Sequence, residues 1–122
     1  MAYSKITVLV VEDEPLVRMG IVDHLEDSGF TVLEAADADA AIHLLVKNLD
    51  IRIVFTDVDM PGSMDGLKLA AAISKRWPPI KIVVTSGHRK VNTNDLPVEA
   101  HFFAKPYSFD KLVTAFRSLA SH

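Results

Sequence analysis

The chain has 122 residues, of which 49% are hydrophobic and 24% are charged, and its formal net charge is −3. This length predicts one domain with a substantial core, and the charge gives no electrostatic case for binding nucleic acid. The absence of cysteine excludes disulfides and thiol chemistry and is compatible with the cytoplasm, where we expect the protein to act. The early apolar run at residues 6–11 is too short to span a membrane, and we expect no membrane segment or signal peptide.

The first predicted strand and helix lie near the N-terminus. The apolar run at residues 6–11 predicts a buried strand, which an acidic triplet at residues 12–14 closes. Pro15 is favoured in the first turn of a helix, and Gly29 is placed to end that helix. The inward positions predicted for this helix are Val17, Ile21, Val22 and Leu25.

A second strand, a second helix and a third strand come next. Residues 31–34 predict a short strand, and Asp37 is placed to cap a helix. The apolar stripe of that helix consists of Ala38, Ala41, Ile42, Leu45 and Leu49. Residues 51–57 are mostly β-branched or aromatic, and they predict a buried strand that ends in the carboxylate of Asp57. Asp59 follows two residues later, before a Pro-Gly pair at residues 61–62 that breaks regular structure.

The pattern continues with a third helix and a fourth strand. Asp65 is placed to cap the helix, and two prolines at residues 78–79 stop it. Its predicted inward face consists of Leu69, Ala70, Ile73 and Trp77. Residues 80–84 predict a buried strand that leads into Thr85-Ser86-Gly87.

The C-terminal part adds a weak helix, a strand and a strong helix. Residues 88–98 contain poor helix formers and predict only a weak fourth helix. Residues 100–104 predict a last strand, which Lys105-Pro106 follows, and Ser108 is placed to cap a fifth helix. The inward face of that helix consists of Phe109, Leu112, Val113, Phe116 and Leu119.

Five strands that alternate with helices predict the α/β class. The expected architecture is a doubly wound, five-stranded parallel sheet with strand order 2-1-3-4-5 and helices on both faces, a flavodoxin-like (βα)5 fold of three layers. Because His122 ends the chain directly after the fifth helix, we expect a single domain over residues 1–122 with no output domain.

Polar residues follow the predicted strands at one edge of this sheet. Glu12 and Asp13 follow strand one and Asp57 ends strand three, and these strands are neighbours in the order 2-1-3-4-5. Three carboxylates in one crevice need a cation or a raised pKa, and Mg²⁺ suits carboxylate oxygens. A metal-bound Asp57 is a plausible nucleophile toward phosphorus. Lys105 would supply a second cation, and the hydroxyl of Thr85 would donate to a phosphoryl oxygen.

This ordered set resembles the receiver domain of two-component response regulators. The match covers residues 8–119 and depends on five places in order, which are Glu12-Asp13, Asp57 with Met60-Pro61-Gly62, Asp65-Gly66, Thr85 and Lys105-Pro106. The resemblance implies that Asp57 accepts a phosphoryl group from a histidine kinase. It also implies that Glu12, Asp13, Asp57 and the backbone carbonyl of Asp59 hold Mg²⁺.

The resemblance further implies a switch. Lys105 would contact the phosphoryl group, the bond from Lys105 to Pro106 would be cis, and Thr85 would move toward the phosphate while Phe102 swings inward. The face of the fourth helix, fifth strand and fifth helix would then bind a downstream target, and we expect a monomer or a weak dimer through that face. Alternatively, the phosphoryl group would pass to a histidine phosphotransfer protein. The protein would regulate by contact and would catalyse only its own phosphorylation and dephosphorylation.

Three positions depart from the common family pattern. Ser63 is an extra residue in the loop after Asp57, and Phe102 stands where a tyrosine is frequent. Asp59 adds a negative charge two residues after the acceptor, at a position that tunes phosphate lifetime in the family. The weak fourth helix is a further departure, on the face that usually binds the output partner.

Other interpretations of the same residues are open at this point. Asp57 and Asp59 resemble the acidic pair of haloacid-dehalogenase-type phosphatases, although those enzymes carry the pair on the first strand and are larger. A flavodoxin-like cofactor module is a further alternative, but no glycine-rich loop follows strand one. Taken alone, Asp57 is also compatible with a strand-end cap, and Glu12 and Asp13 with acids favoured by a helix dipole.

Overall fold

The computed structural model describes residues 5–60, 65–87, 96–97 and 100–121. The strands are β1 Thr7–Val11, β2 Thr31–Ala35, β3 Ile51–Asp57, β4 Lys81–Ser86 and β5 Ala100–Ala104. The helices in the described ranges are α1 Pro15–Asp27, α2 Ala38–Lys47, α3 Gly66–Arg76 and α4 Phe109–Ala120, so α4 is the helix predicted as the fifth. Ser63 and nearly all of the predicted weak fourth helix lie outside the described residues.

The five strands form one parallel sheet in the order β2-β1-β3-β4-β5. This confirms the predicted fold and places β1 beside β3, where the strand order reverses. The register fixes which residues meet at the carboxyl edge of the sheet. Val11 pairs with Thr56, Asp57 pairs with Thr85, and Ser86 pairs with Ala104.

Alternating residues of the central strands build one apolar layer on each face of the sheet. Leu9 and Val11 of β1 belong to the layer that contains the buried residues of α2 and α3. Val8 and Val10 belong to the opposite layer, with those of α1 and α4. Both faces of a parallel sheet are therefore covered, as its continuous apolar runs predict. None of the described helices has the length and hydropathy needed to cross a membrane.

The predicted caps at the starts of α2 and α3 and the predicted end of α1 are confirmed in the structure. The side chain of Asp37 accepts a hydrogen bond from Ala40 N at 2.8 Å, and that of Asp65 accepts one from Lys68 N at 2.9 Å. Gly29 follows α1 with a φ of 98°, a conformation that glycine adopts without strain. These caps set where α2 and α3 begin, and Asp65 thereby places α3 beside the end of β3.

Two inward positions predicted from helical spacing are wrong. Val17 is 38% exposed because it lies beside an open groove lined by Tyr107 and Phe109. Leu49 is 88% exposed, since α2 ends at Lys47 and the extended Asn48 follows it. Trp77 lies beyond its helix, but it is half-buried and packs against the apolar layer of α2 and α3, as predicted. It follows the last residue of α3 and packs under the guanidinium of Arg76, whose Cζ lies 4.4 Å from the ring centroid.

Candidate functional site

Asp57 lies at the carboxyl end of β3 and is buried, with 6% of its surface exposed. Its Oδ2 accepts a hydrogen bond from Lys105 Nζ at 2.5 Å, and its Oδ1 accepts one from Asp59 N at 2.9 Å. Lys105 reaches Asp57 because it follows β5, whose end lies at the same edge as the end of β3. Both oxygens of the predicted nucleophile thus have fixed partners.

A polar cavity of about 130 Å³ opens at this edge of the sheet. It is lined by the five acids Glu12, Asp13, Glu14, Asp57 and Asp59, together with the ammonium group of Lys105. The structure therefore brings together the acids predicted from the ends of the first and third strands. Five acids against one lysine leave the cavity with excess negative charge, which favours a bound cation.

The residue after β1 is the least exposed acid among the described residues. Glu12 is 3% exposed, its backbone N–H donates to Ala35 O at 3.0 Å, and its Oε2 accepts a hydrogen bond from Asp13 N at 2.8 Å. Burial, with the neighbouring Asp13 and Asp57 carboxylates, raises the pKa of Glu12 from 4.5 to about 7. A proton thereby relieves part of the repulsion within the acidic group.

Lys105 stays charged at the opposite side of the cavity. Burial alone would lower its pKa, but the hydrogen bond and charge of Asp57, with the charges of Glu12 and Asp59, outweigh burial and raise the pKa. Gly87 leaves space for the lysine stem, since a Cβ at that position would lie 3.1 Å from Lys105 Cβ. The peptide bond between Lys105 and Pro106 is cis.

Thr85 and Phe102, the two predicted switch residues, lie on neighbouring strands. The Oγ1 of Thr85 is buried and has no hydrogen-bond partner among the described residues, which is costly for a hydroxyl group. Phe102 is half-buried and packs against the layer that contains Val84, its register partner on β4. The strand residue that pairs with Asp57 thus carries a buried hydroxyl without a described partner.

Gly66 explains why a glycine follows Asp65 in the motif. A Cβ at Gly66 would lie 2.7 Å from Val58 Cα and would overlap the backbone oxygen of Asp57. Gly66 N also donates to Val58 O at 3.1 Å. The first turn of α3 therefore rests directly against the backbone that presents Asp57.

The chain matches the response regulator receiver domain family over residues 8–117. It belongs to this family. The sensor kinase CckA of Brucella abortus is 38% identical over 117 residues, and the match covers 93% of this chain and 12% of that protein. A putative NtrX-like response regulator of Rickettsia bellii is 36% identical over 114 residues, with 90% of this chain and 24% of that protein covered. The chain thus spans less than a quarter of these curated relatives.

The solved structures agree with the family match. The crystal structure of a response regulator receiver protein from Sinorhizobium medicae superimposes with a TM-score of 0.88 and 26% identity, and the match covers 97% of this chain and 96% of that one. The chain is therefore a regulatory phosphoacceptor module of the two-component type. The comparisons give no support to the haloacid-dehalogenase alternative.

Receiver domains generally depend on Mg²⁺, and the donors of this one fit that ion. Carboxylate oxygens of Glu12, Asp13 and Asp57 line one cavity and are the hard ligands that Mg²⁺ prefers. Across the described ranges, no three His, Cys, Asp or Glu side chains are already arranged as a metal-binding group. Glu12 is instead turned toward the backbone N–H of Asp13. The cavity therefore contains suitable ligands for Mg²⁺, but their carboxylate groups are not yet oriented toward a common ion.

Two contacts near the site were not anticipated from the sequence. Ser86 Oγ donates to Asp59 Oδ2 at 2.9 Å, which ties the end of β4 to the residue after the acceptor strand. Arg18 of α1 donates to the backbone oxygen of Glu12 at 2.8 Å. Neither contact has a local signal in the sequence, because its partners lie on separate elements.

Proposed function

We propose that Asp57 is the phosphoacceptor of this receiver domain. The observation that carries the proposal is the position of its carboxylate, which is buried at a strand end, ion-paired to Lys105 at 2.5 Å and surrounded by further acids. Lys105 lines the same cavity and supplies the positive charge that Asp57 pairs with there. A nucleophile toward a phosphoryl group needs such charge neutralisation and positioning.

Glu12, Asp13, Asp57 and the backbone carbonyl of Asp59 would hold Mg²⁺ in this proposal. The ion would neutralise charge on the phosphoryl oxygens and on the acids themselves. The raised pKa of Glu12 supports this assignment, because burial and the neighbouring acids both disfavour an uncompensated negative charge there. The excess of acids over the single lysine in the cavity supports it independently.

Three side chains of this domain would have distinct roles in phosphoryl transfer. An oxygen of Asp57 would attack the phosphorus of a phosphohistidine, forming an oxygen–phosphorus bond while the nitrogen–phosphorus bond breaks and the imidazole leaves. Lys105, which now neutralises Asp57, would remain paired with the new phosphoryl oxygens. The buried hydroxyl of Thr85 would gain its missing partner by donating to one of them. Water would later hydrolyse the acyl phosphate.

Phosphorylation would change a partner-binding surface through a movement of Thr85. A shift of Thr85 toward the phosphate would loosen the packing beside Phe102, which belongs to the next strand. The altered face around β5 and α4 would bind a downstream protein or a second copy of the chain. The phosphodonor would be a histidine kinase, and a histidine phosphotransfer protein is the alternative recipient of the phosphoryl group.

The proposal is tested by phosphorylation with a small acyl-phosphate donor and Mg²⁺. We expect intact-mass spectrometry to show one added phosphoryl group, which EDTA prevents and Asp57→Asn abolishes. Asp59→Asn is the matched control, because Asp59 lines the same cavity yet is not the proposed acceptor. A phosphoryl group that persists in Asp57→Asn, or is lost only in Asp59→Asn, would overturn the assignment.

A further inference from the structure

Arg18 makes two directed contacts next to the site without lining its cavity. Its Nη1 donates to the backbone oxygen of Glu12 at 2.8 Å, and its Nε contacts Glu34 Oε1 at 2.9 Å. The Arg18 side chain is 19% exposed, so the guanidinium is mostly enclosed between α1, the end of β1 and β2. A planar group with several donors is suited to holding two acceptors at once.

The contact with Glu12 fixes one particular peptide unit. The oxygen of the peptide between Glu12 and Asp13 accepts from Arg18, and the N–H of the same peptide donates to Glu12 Oε2 at 2.8 Å. The preceding N–H, that of Glu12, donates to Ala35 O at 3.0 Å. The backbone of the acidic pair is therefore held from both sides, directly by the end of β2 and through Arg18 by Glu34.

We propose that Arg18, braced by Glu34, is a positioning residue for the metal-binding acids. It would fix the plane of the peptide between Glu12 and Asp13, and with it the direction in which both carboxylates leave the backbone. Partners behind metal ligands commonly set affinity in this way. This inference rests on the proposed function, because it assumes that the acidic pair binds Mg²⁺. It gives β2, none of whose residues lines the cavity, a part in building the site.

Charge alone makes the opposite prediction for Arg18. A cation beside an acidic cavity competes with Mg²⁺, so its removal would tighten binding if Arg18 acted only through its charge. Loss of positioning would weaken binding instead. Arg18→Met therefore separates the two explanations by the sign of the change. Arg18→Lys separates them by keeping the charge while losing the fork that reaches both Glu12 and Glu34.

The experiment is a titration of the full chain with Mg²⁺ alone. Binding is monitored through the NMR amide signals of residues 12–13 and 57–59. We expect Arg18→Lys and Arg18→Met each to weaken binding, by about 10-fold. Arg52→Lys is the matched control, since Arg52 also donates to a backbone oxygen, that of Ala120, at 2.6 Å and far from the cavity. Its affinity should equal that of the wild type, and urea unfolding in EDTA checks that every variant is folded.

Glu34→Gln provides a second route to the same answer. It removes the charge that braces the guanidinium, so we expect a smaller loss of affinity than in the Arg18 variants, and no additional loss when it is combined with Arg18→Met. Unchanged or tighter binding in both Arg18 variants would overturn this inference alone. A wild-type chain that shows no Mg²⁺ binding would overturn the metal assignment in the proposed function as well.

Discussion

The two sides of Asp57 differ in the way each balances its charge. On the side of β4 and β5, Lys105 pairs with the acceptor at 2.5 Å, so the chain supplies its own cation. On the side of β1, Glu12 and Asp13 face further acids, and the pKa of Glu12 is raised to about 7. The charge of Asp57 is thus balanced by a protein cation on the first side, whereas the acids on the second side require a proton or a metal ion.

This difference has a functional consequence. Because only one side of the cavity has a protein cation, we expect the acids on the other side to attract a proton or a metal ion. The cavity would also respond to a phosphoryl group, which brings negative charge to Lys105 and an acceptor to the buried hydroxyl of Thr85. We therefore expect substitutions on the Lys105 side to slow phosphoryl transfer without weakening metal binding, and substitutions on the β1 side to alter metal and proton binding.

The largest effect is expected from Lys105→Met. Removing the cation that neutralises the phosphoryl oxygens should slow phosphorylation by a small donor, about 100-fold or more. Affinity for Mg²⁺ should not fall, because a competing positive charge is lost. Lys111→Met on the exposed surface of α4 is the control for loss of a lysine. The two quantities can be measured by stopped-flow kinetics and by the NMR titration. An unchanged rate, or a parallel loss of Mg²⁺ affinity, would contradict the proposed difference between the two sides of Asp57.

On the β1 side, Glu12 should make the free energy of unfolding depend on pH. Because the folded-state pKa of Glu12 lies above 4.5, the folded state binds this proton more tightly than the unfolded state. In EDTA, Glu12 should therefore lower the free energy of unfolding as pH rises from about 4.5 to 7, by an amount on the order of 2 kcal/mol.

Urea unfolding at pH 5 and pH 8 measures this contribution as the difference between the wild type and Glu12→Gln. The wild type should lose more stability than the variant over this interval, and saturating Mg²⁺ should reduce the loss by replacing the proton. Equal pH dependence of the two proteins would show that Glu12 does not carry the proton.

The smallest effect is expected from Thr85→Val, which tests the hydroxyl on the β4 side. The substitution keeps the side-chain shape and removes a buried polar atom without a described partner, so it should stabilise the unphosphorylated protein by about 1 kcal/mol. Thr56→Val is the matched control, since its buried Oγ1 donates to Asp57 O at 3.1 Å, and its loss should be destabilising. The same sign for both variants in thermal unfolding would contradict the assignment.

Much of the fold follows from local sequence patterns. Apolar runs such as residues 51–57 and caps such as Asp37 and Asp65 report on neighbouring residues, and the structure has strands and helices there. Local spacing failed where the surroundings decide exposure. Val17 follows the helical period of α1 but borders an open groove, and the extended Asn48 separates Leu49 from the end of α2.

Part of the candidate site could also be predicted from the sequence. Residues at the ends of parallel strands meet at one edge, so the order of the strands brings Glu12, Asp57 and Lys105 together without knowledge of distances. Contacts between the side of a helix and an edge strand have no such rule. The bonds of Arg18 to Glu12 and Glu34 depend on how α1 lies across the sheet, and only the structure shows them.

The central claim is that Asp57 accepts the phosphoryl group, and chemical trapping tests it most directly. The protein is treated with phosphoramidate, a donor with the phosphorus–nitrogen bond of phosphohistidine, in the presence of Mg²⁺. Borohydride then reduces the acyl phosphate, and peptide mass spectrometry locates the reduced residue. We expect homoserine at position 57 alone, and none when EDTA replaces Mg²⁺. Reduction at Asp13 or Asp59 instead, or none at any carboxylate, would contradict the proposed acceptor.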